Sequence, residues 1–355
     1  MGDRVTLQTI ADELGVSRTT VSNAYNRPDA LGAELRARIL AVADRLGYRG
    51  PDAAARGLRT GHRGAIGLLF TEDLRFVFED ADTTGFLQGV ADASVQAGTG
   101  LMLLPSPPDL EGASTAVTSV AVDGHLVFSV AADDPALEAI VAMGLPLVIV
   151  DEPDLGARAS FVHIDDRAGA KAAAEHLLAL GHRRLAVLLG RTGRDGGSGP
   201  VDAAREAAWT IRIATERLAG YRDALTAAGL DPDELVVWEA GANDPDRARQ
   251  ATTELLAASP DVTGLLCFSD RVAIGACQGA RLTGRRVPED LSVVGFDDIP
   301  RAATWDPPLT TIRQPIVDKG RLAARLLLAA IDGAAPSRVQ LPIEPIVRSS
   351  TAPPT

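Results

Sequence analysis

Two short amphipathic helices joined by one sharp turn are written into VTLQTIADELGVSRTTVSNAYNRP, residues 5–28. Leu7, Ile10, Ala11 and Leu14 recur at helical spacing and give the first helix a single apolar stripe. Gly15 lets the backbone turn sharply. Ser17 is a good N-cap for a second helix whose inward residues are Val21 and Ala24. The outward residues of that helix are Arg18, Thr19, Ser22, Asn23 and Asn26. These are small hydrogen-bonding side chains with one guanidinium, suited to reading base edges in a DNA major groove. The same periodicity also suits a generic helical hairpin whose polar face meets only solvent.

A third helix follows in AELRARILAVADRLGY, with Leu35, Ile39, Val42 and Leu46 inward and Gly47 ending it. Three helices of this length make a small domain over residues 1–50. Pro51 and Asp52 then favour a new helix start, and Ala53 to Leu58 can form a short helix. Gly57 is a poor helix former, so that helix is marginal alone and needs a partner.

VTLQTIADELGVS, TTVSNAYNRP, RILAVADRLGY and AARGLRTG together resemble the DNA-binding head and hinge of the lactose-repressor (LacI-type) family of transcriptional regulators. The resemblance continues in GLLCFSD, VPEDLSVVGFDDIP and PPLTTIRQP, residues 264–315. It implies DNA contacts from Thr6, Ser17, Arg18, Thr19, Thr20, Ser22, Asn23 and Asn26 in the head. It also implies contacts from Ala55, Arg56 and Leu58 in a hinge helix at 51–61. In the family, paired hinge helices enter the minor groove, and a leucine matching Leu58 wedges into a base step. An apolar wedge of that kind replaces lost stacking and bends the duplex. The chain departs from the family at Asn23, where arginine is common.

The formal net charge of −12 looks wrong for a DNA binder until it is divided. Residues 1–61 hold nine Arg against seven Asp or Glu, a charge of +2, whereas the remainder holds 26 basic and 40 acidic residues, −14. A relatively basic head on an acidic body grips phosphates while the body repels stray DNA. Lys171 and Lys319 are the only lysines, which reads as compositional bias toward arginine. No run of eighteen apolar residues occurs, and the first residues lack a secretory pattern, so a cytoplasmic chain without a membrane span is expected. Cys267 and Cys277 are too few for a disulfide framework or a zinc site. The five histidines show no metal-ligand spacing, and no GxSxG elbow appears, so the reading is of a non-enzyme without cofactors.

From Gly64 the pattern changes to α/β. GAIGLLF, TGLMLLP, GHLVFSV, LPLVIVD, FVHID, RRLAVLLG, ELVVWE, TGLLCFS and LSVVGFD read as buried strands, with helical stretches between most of them. Their number predicts two parallel-sheet lobes, the periplasmic-binding-protein-like core that the resemblance also implies. The expected lobes are 62–163 with about 315–334, and 164–314 with about 335–355. Crossings are expected near Asp165 and over Thr310 to Pro315, and the last strand would cross again.

Ligands of open parallel sheets bind beyond the carboxyl ends of the strands. Those ends carry Thr71, Ser129, Asp151, Ser269, Asp270, Asp297 and Asp298. Hydroxyls and carboxylates of this kind suit sugar or polyol recognition. The resemblance implies effector contacts from Ser129, Asp151, Arg217, Ser269, Asp297 and Gln314. Phe76 and Phe78 are candidates to stack on the ligand. One segment, GRTGRDGGSGPVDAAREAAWTIR at 190–212, is longer than the family's usual loop. It lacks the lysine ending of a phosphate-binding loop and reads as a flexible lid at the cleft mouth. The expected partners are a near-palindromic duplex operator, a second copy of the chain and a small-molecule effector. A neutral or acidic sugar leads for the effector, with a nucleobase or amino-acid derivative open. A sensor of the same fold without specific DNA binding is the alternative. The ending IVRSSTAPPT has no heptad repeat, which favours a dimer over a tetramer.

Overall fold

The computed structural model describes residues 5–26, 28–48, 62–72, 74–107, 112–193 and 196–355. The chain divides into two units, 1–64 and 65–355. Ala55, Arg56, Leu58 and the rest of the expected hinge lie outside the described residues.

The described residues of the first unit form three α-helices, α1 (Leu7–Leu14), α2 (Arg18–Asn26) and α3 (Ala33–Arg45). Thr6 starts α1 with a reciprocal cap: its Oγ1 accepts from the Thr9 amide at 3.3 Å, and Thr9 Oγ1 accepts from the Thr6 amide at 3.2 Å. Gly15 ends the helix at φ 63°, a left-handed conformation that disfavours residues with a Cβ. Ser17 Oγ accepts from the Thr20 amide at 3.0 Å and so fixes the start of α2. Ile10, Ala11, Val21, Ala24, Ile39 and Ala43 form the buried core, with Leu7, Leu14, Leu35, Val42 and Leu46 packed around it half-buried.

The second unit holds two parallel sheets. In the first lobe, β1 (Ala65–Phe70), β2 (Gly100–Pro105), β3 (His125–Phe128), β4 (Leu147–Val150), β5 (Ser160–Ile164) and, from far along the chain, β12 (Arg338–Leu341) stand in the order β12-β5-β4-β3-β1-β2. The second lobe orders its strands β10-β9-β6-β8-β7, from β6 (Leu185–Leu189), β7 (Gly199–Pro200), β8 (Val236–Glu239), β9 (Gly264–Cys267) and β10 (Ser292–Val294). All these pairings are parallel except β7 with β8. Runs such as LVIV in β4 are buried throughout, as strands covered by helices on both faces must be. A short antiparallel pair, β11 (Thr311–Arg313) with β13 (Glu344–Ile346), lies between.

Among the described residues this unit has eleven α-helices. They are α4 (Leu74–Glu79), α5 (Ala81–Ala97), α6 (Ala113–Ser119), α7 (Pro135–Ala142), α8 (Asp166–Ala179), α9 (Ala203–Ala207), α10 (Arg212–Ala227), α11 (Pro245–Ala258), α12 (Asp270–Leu282), α13 (Pro300–Thr304) and α14 (Ile316–Ile331). α5 and α14 cross at backbone contact over the first sheet. A methyl group at Gly89 would collide with the Val317 carbonyl, and one at Gly320 with the Phe86 carbonyl. Only glycine admits that approach.

Two expectations need correction. Residues 338–341 belong to the first lobe, not the second. The first sheet leaves the edge of β5 open after α14, and β12 fills it, with the Phe161 amide donating to the Ser337 carbonyl at 2.8 Å. Only then does the tail return to the second sheet, where the Val293 amide donates to the Ser350 carbonyl at 2.9 Å. The described parts of the segment 190–212 are also folded, not a free loop. β7 pairs with β8, α9 follows it, and buried Glu239 ties both ends. One Glu239 oxygen accepts from the Thr192 amide at 3.0 Å and its hydroxyl at 2.8 Å, and the other accepts from Arg205 at 2.9 and 2.7 Å. Replacing Arg205 by alanine leaves a buried carboxylate half-partnered and should cost about 2 kcal/mol of body stability in urea unfolding. A loss below about 0.5 kcal/mol would show that the segment does not depend on this pair.

Candidate functional site

Helix α2 leaves Arg18 and Thr19 exposed, with Thr20, Ser22 and Asn23 half-buried beside them. Thr6 and Ser17 hold the helix starts through their side-chain oxygens, so their sequence-expected contacts would be made by groups already engaged in caps. The side chain of Asn26 lies outside the described residues.

In the second unit, the carboxyl ends of strands from both lobes converge on a cleft of ≈ 910 Å³, solvent-connected space included. Ser129, Asp151, Arg217, Ser269, Asp297 and Gln314 all line it, together with Thr71. Among the described residues, the non-glycine positions with positive φ are Ser129 (51°), Asp151 (66°), Asp297 (109°) and Asp298 (58°). Each directly follows, or lies within a few residues of, the end of a strand, and three of the four line the cleft. Left-handed backbone at a residue with a Cβ is strained, and such strain gathers where side chains must be aimed.

Phe78, Asp298 and Asp270 do not line the cleft. Phe78 is 65% exposed, because α4 turns Val77 inward and the next position of a helix points elsewhere. The side chain of Phe76 lies outside the described residues. Phe70, Phe128 and Phe268 supply the aromatic wall instead. Asp298 faces away and pairs with Arg313 at 2.7 Å and Arg348 at 2.6 Å. Asp270 is buried beneath the cleft. It accepts from the Ile299 amide at 2.9 Å and from Thr311 Oγ1 at 2.7 Å, and burial pushes its carboxyl up to about 7.

The polar floor is a continuous chain. Lys319, on α14, donates to both Asp151 oxygens at 2.7 and 3.0 Å and to Gln314 Oε1 at 2.5 Å. An ammonium can only donate, so the Gln314 oxygen must face it and the amide nitrogen must face the other way. That nitrogen donates to Asp297 at 2.7 Å and lies 3.4 Å from Asp82. Gln314 therefore joins a carboxylate of the second lobe to one of the first. Burial pushes the Asp82 carboxyl well above the usual range, and Asp297 beside it adds to the shift. Burial raises Asp297 likewise, against the opposing pull of Arg217.

Arg217 is fixed on three sides. It donates to Asp166 at 3.0 Å and to the Phe268 carbonyl, and its guanidinium lies 3.5 Å from the Phe296 ring centroid. Ser269 caps α12 by accepting from the Val272 amide at 3.1 Å and donates to Asn243. The ends of the folded 190–212 segment close together, with Thr210 and Ile211 amides donating to Thr192 at 3.0 and 3.1 Å. This closure delivers Arg191 and Ile211 to the cleft, with Ile213 just beyond. Arg191 reaches Glu72 of the other lobe at 2.8 Å.

Sequence reading missed Lys319, Gln314's partner Asp82, Glu152, Arg191 and Asn243. One signal was available for Lys319. A lysine in a chain that otherwise uses arginine almost throughout marks a place where a compact point charge is needed.

Residues 6–50 match the family described as bacterial regulatory proteins, lacI family, and residues 174–351 match the periplasmic binding protein-like domain. The HTH-type transcriptional regulator Rv3575c of Mycobacterium tuberculosis is 43% identical over 358 residues, covering 99% of this chain and 98% of its own. A structure of the transcriptional regulator CelR–cellobiose complex aligns at TM-score 0.72 and 32% identity, over 98% of this chain and 100% of that one. The lac repressor dimer bound to operator and the anti-inducer ONPF aligns at TM-score 0.79 and 26% identity, over 99% and 100%. No described helix is long and apolar enough to cross a membrane.

Proposed function

We propose that this chain, which belongs to the lacI family of bacterial regulatory proteins, represses transcription as a homodimer on a near-palindromic operator and is switched by a small sugar-like effector held in the cleft. The observation that carries the reading is the pairing of two built features in one chain. One is a capped α2 that leaves Arg18 and Thr19 exposed. The other is a cleft whose strained strand ends aim Ser129, Asp151 and Asp297 at one space. Similarity to a cellobiose complex and to an operator-bound dimer supports both halves. Twofold protein symmetry selects twofold DNA symmetry. Action on chromosomal DNA makes the cytoplasm its place of work. The cleft is read as a binding site and not an active site.

Arg18 is proposed to read a guanine, with Thr19 and Asn23 reading neighbours. Selection of bound duplexes from a genomic pool tests the reading and should return a palindromic motif. No enriched motif would favour a ligand sensor without specific DNA binding. On the selected duplex, Arg18→Ala should cost about 1–3 kcal/mol, with little loss on random DNA. Equal losses on both would make Arg18 a phosphate contact. Leu58 is proposed as the minor-groove wedge, so Leu58→Ala should weaken operator binding and reduce the bend. Unchanged affinity with an unchanged bend would remove that role.

A further inference from the structure

We infer that Arg191 of the second lobe and Glu72 of the first form a latch on the outer side of the cleft, which tightens ligand binding by holding the lobes together and not by touching the ligand. This rests on the reading of the cleft as an effector site and assigns a role to two residues outside its buried floor.

The fold brings the pair together from matching places. Glu72 stands two residues beyond the carboxyl end of β1, the first strand of its lobe, and Arg191 two residues beyond the end of β6, the first strand of the other. Both line the cleft, and the Arg191 guanidinium lies 2.8 Å from the Glu72 carboxylate. Their side chains are 17% and 36% exposed, whereas Asp151, Arg217 and Gln314 of the floor are buried.

An exposed ion pair usually contributes little, because two long side chains must be ordered to make it. Here the backbone on either side of Arg191 is already fixed. The Gly190 carbonyl accepts from the Gly241 amide at 3.0 Å. Thr192 donates its amide and hydroxyl to buried Glu239 at 3.0 and 2.8 Å, and its carbonyl accepts from the Thr210 and Ile211 amides. Arg191 is thus presented from a rigid base, which lowers the entropy lost on pairing.

Two more arginines of the second lobe cross the cleft, but to main-chain oxygens. Arg212 donates to the Asp151 carbonyl at 3.2 Å, and Arg271 to the Glu79 carbonyl at 3.1 Å, with the Asp80 carboxylate 3.8 Å away. The Arg191–Glu72 pair differs in joining charge to charge at hydrogen-bond distance. A bond made only when the lobes meet favours the closed form, and a ligand that needs that form gains the same factor in affinity.

The test uses the full-length protein and a dilution series of a bacterial small-molecule extract. The quantity read is the extract concentration that raises the melting midpoint by about 2 °C over each protein's own ligand-free value. Arg191→Glu and Glu72→Arg each set like charges face to face and should each need about tenfold more extract. The double variant restores an opposite pair and should return to within about threefold of wild type. Where a reversal lowers the ligand-free midpoint, Arg191→Gln serves in its place, with about a threefold increase expected and no increase overturning the inference. Single reversals that need no more extract than wild type would overturn it. So would a double variant as impaired as the worse single, which would make these residues ligand contacts and not a latch. No rise in the wild type at any dilution would defeat the effector reading itself and the inference with it.

Discussion

Replacing Lys319 by methionine should destabilise the second unit by about 3–5 kcal/mol, among the largest losses from any single change to the cleft. Methionine keeps much of the side chain's length and apolar volume, so the loss reports the ammonium and not a cavity. Lys319 is fully buried, and its ammonium satisfies both oxygens of Asp151 and the Gln314 carbonyl oxygen. Without it, a 5% exposed carboxylate has lost its ammonium partner. Breaking one side of such a pair costs far more than removing the pair, since the remaining charge cannot return to water. The double variant Lys319→Met with Asp151→Asn should therefore recover a large part of the loss. Urea unfolding of the two single variants and the double completes the cycle. A loss below about 1 kcal/mol in Lys319→Met would place the pair among weak, solvent-screened bridges and undo the account of the floor.

Replacing Glu152 by glutamine should make the protein progressively more stable than wild type as pH rises. Glu152 is 2% exposed, and burial pushes its carboxyl from 4.5 up to about 8, with the nearby Asp151 and Asp166 charges adding to the shift and the Ile213 amide opposing it. The sign follows from linkage. The folded state keeps the proton up to about pH 8, whereas the unfolded chain releases it above 4.5. Wild-type stability from this group is therefore present at low pH and is lost as pH rises toward 8. Glutamine cannot titrate, so the stability gap in its favour should widen by about 1 kcal/mol per pH unit between pH 5 and pH 8. Asp270, held near 7, titrates in both proteins and cancels from the comparison. Parallel curves for the two proteins would mean that Glu152 is ionised in the fold and has a partner.

The residues that proved legible in the sequence are those whose signal is local. Gly15 and Ser17 announce a helix stop and a helix start within a few residues of where they act. Buried parallel strands read as unbroken apolar runs, and their ends directed attention to Ser129, Asp151, Ser269 and Asp297. What stayed hidden depends on contacts between distant parts of the chain. Lys319 meets Asp151 across 168 positions, and nothing around either residue predicts the other. RVQL at 338–341 is half-exposed and alternating, so it carries no mark of which sheet edge it will join. Glu239 reads as the polar end of the strand ELVVWE, yet it is the buried anchor that folds the 190–212 segment. Phe78 was misplaced for a different reason. α4 is only six residues long, and too short a helix gives no periodicity from which to tell its inner face.

The central claim is that one ligand links the cleft to the grip on DNA, and the most direct test measures both together. The duplex returned by genomic selection would be titrated with wild-type protein, with and without a bacterial small-molecule extract that raises the protein's melting midpoint. The Asp297→Asn variant would be run beside it. The account predicts that the extract changes wild-type operator affinity by about tenfold or more, and that the variant binds the duplex normally but no longer responds. An operator affinity that stays constant while the extract raises the melting midpoint would contradict it, because a ligand that binds the body without moving the DNA equilibrium is not an effector.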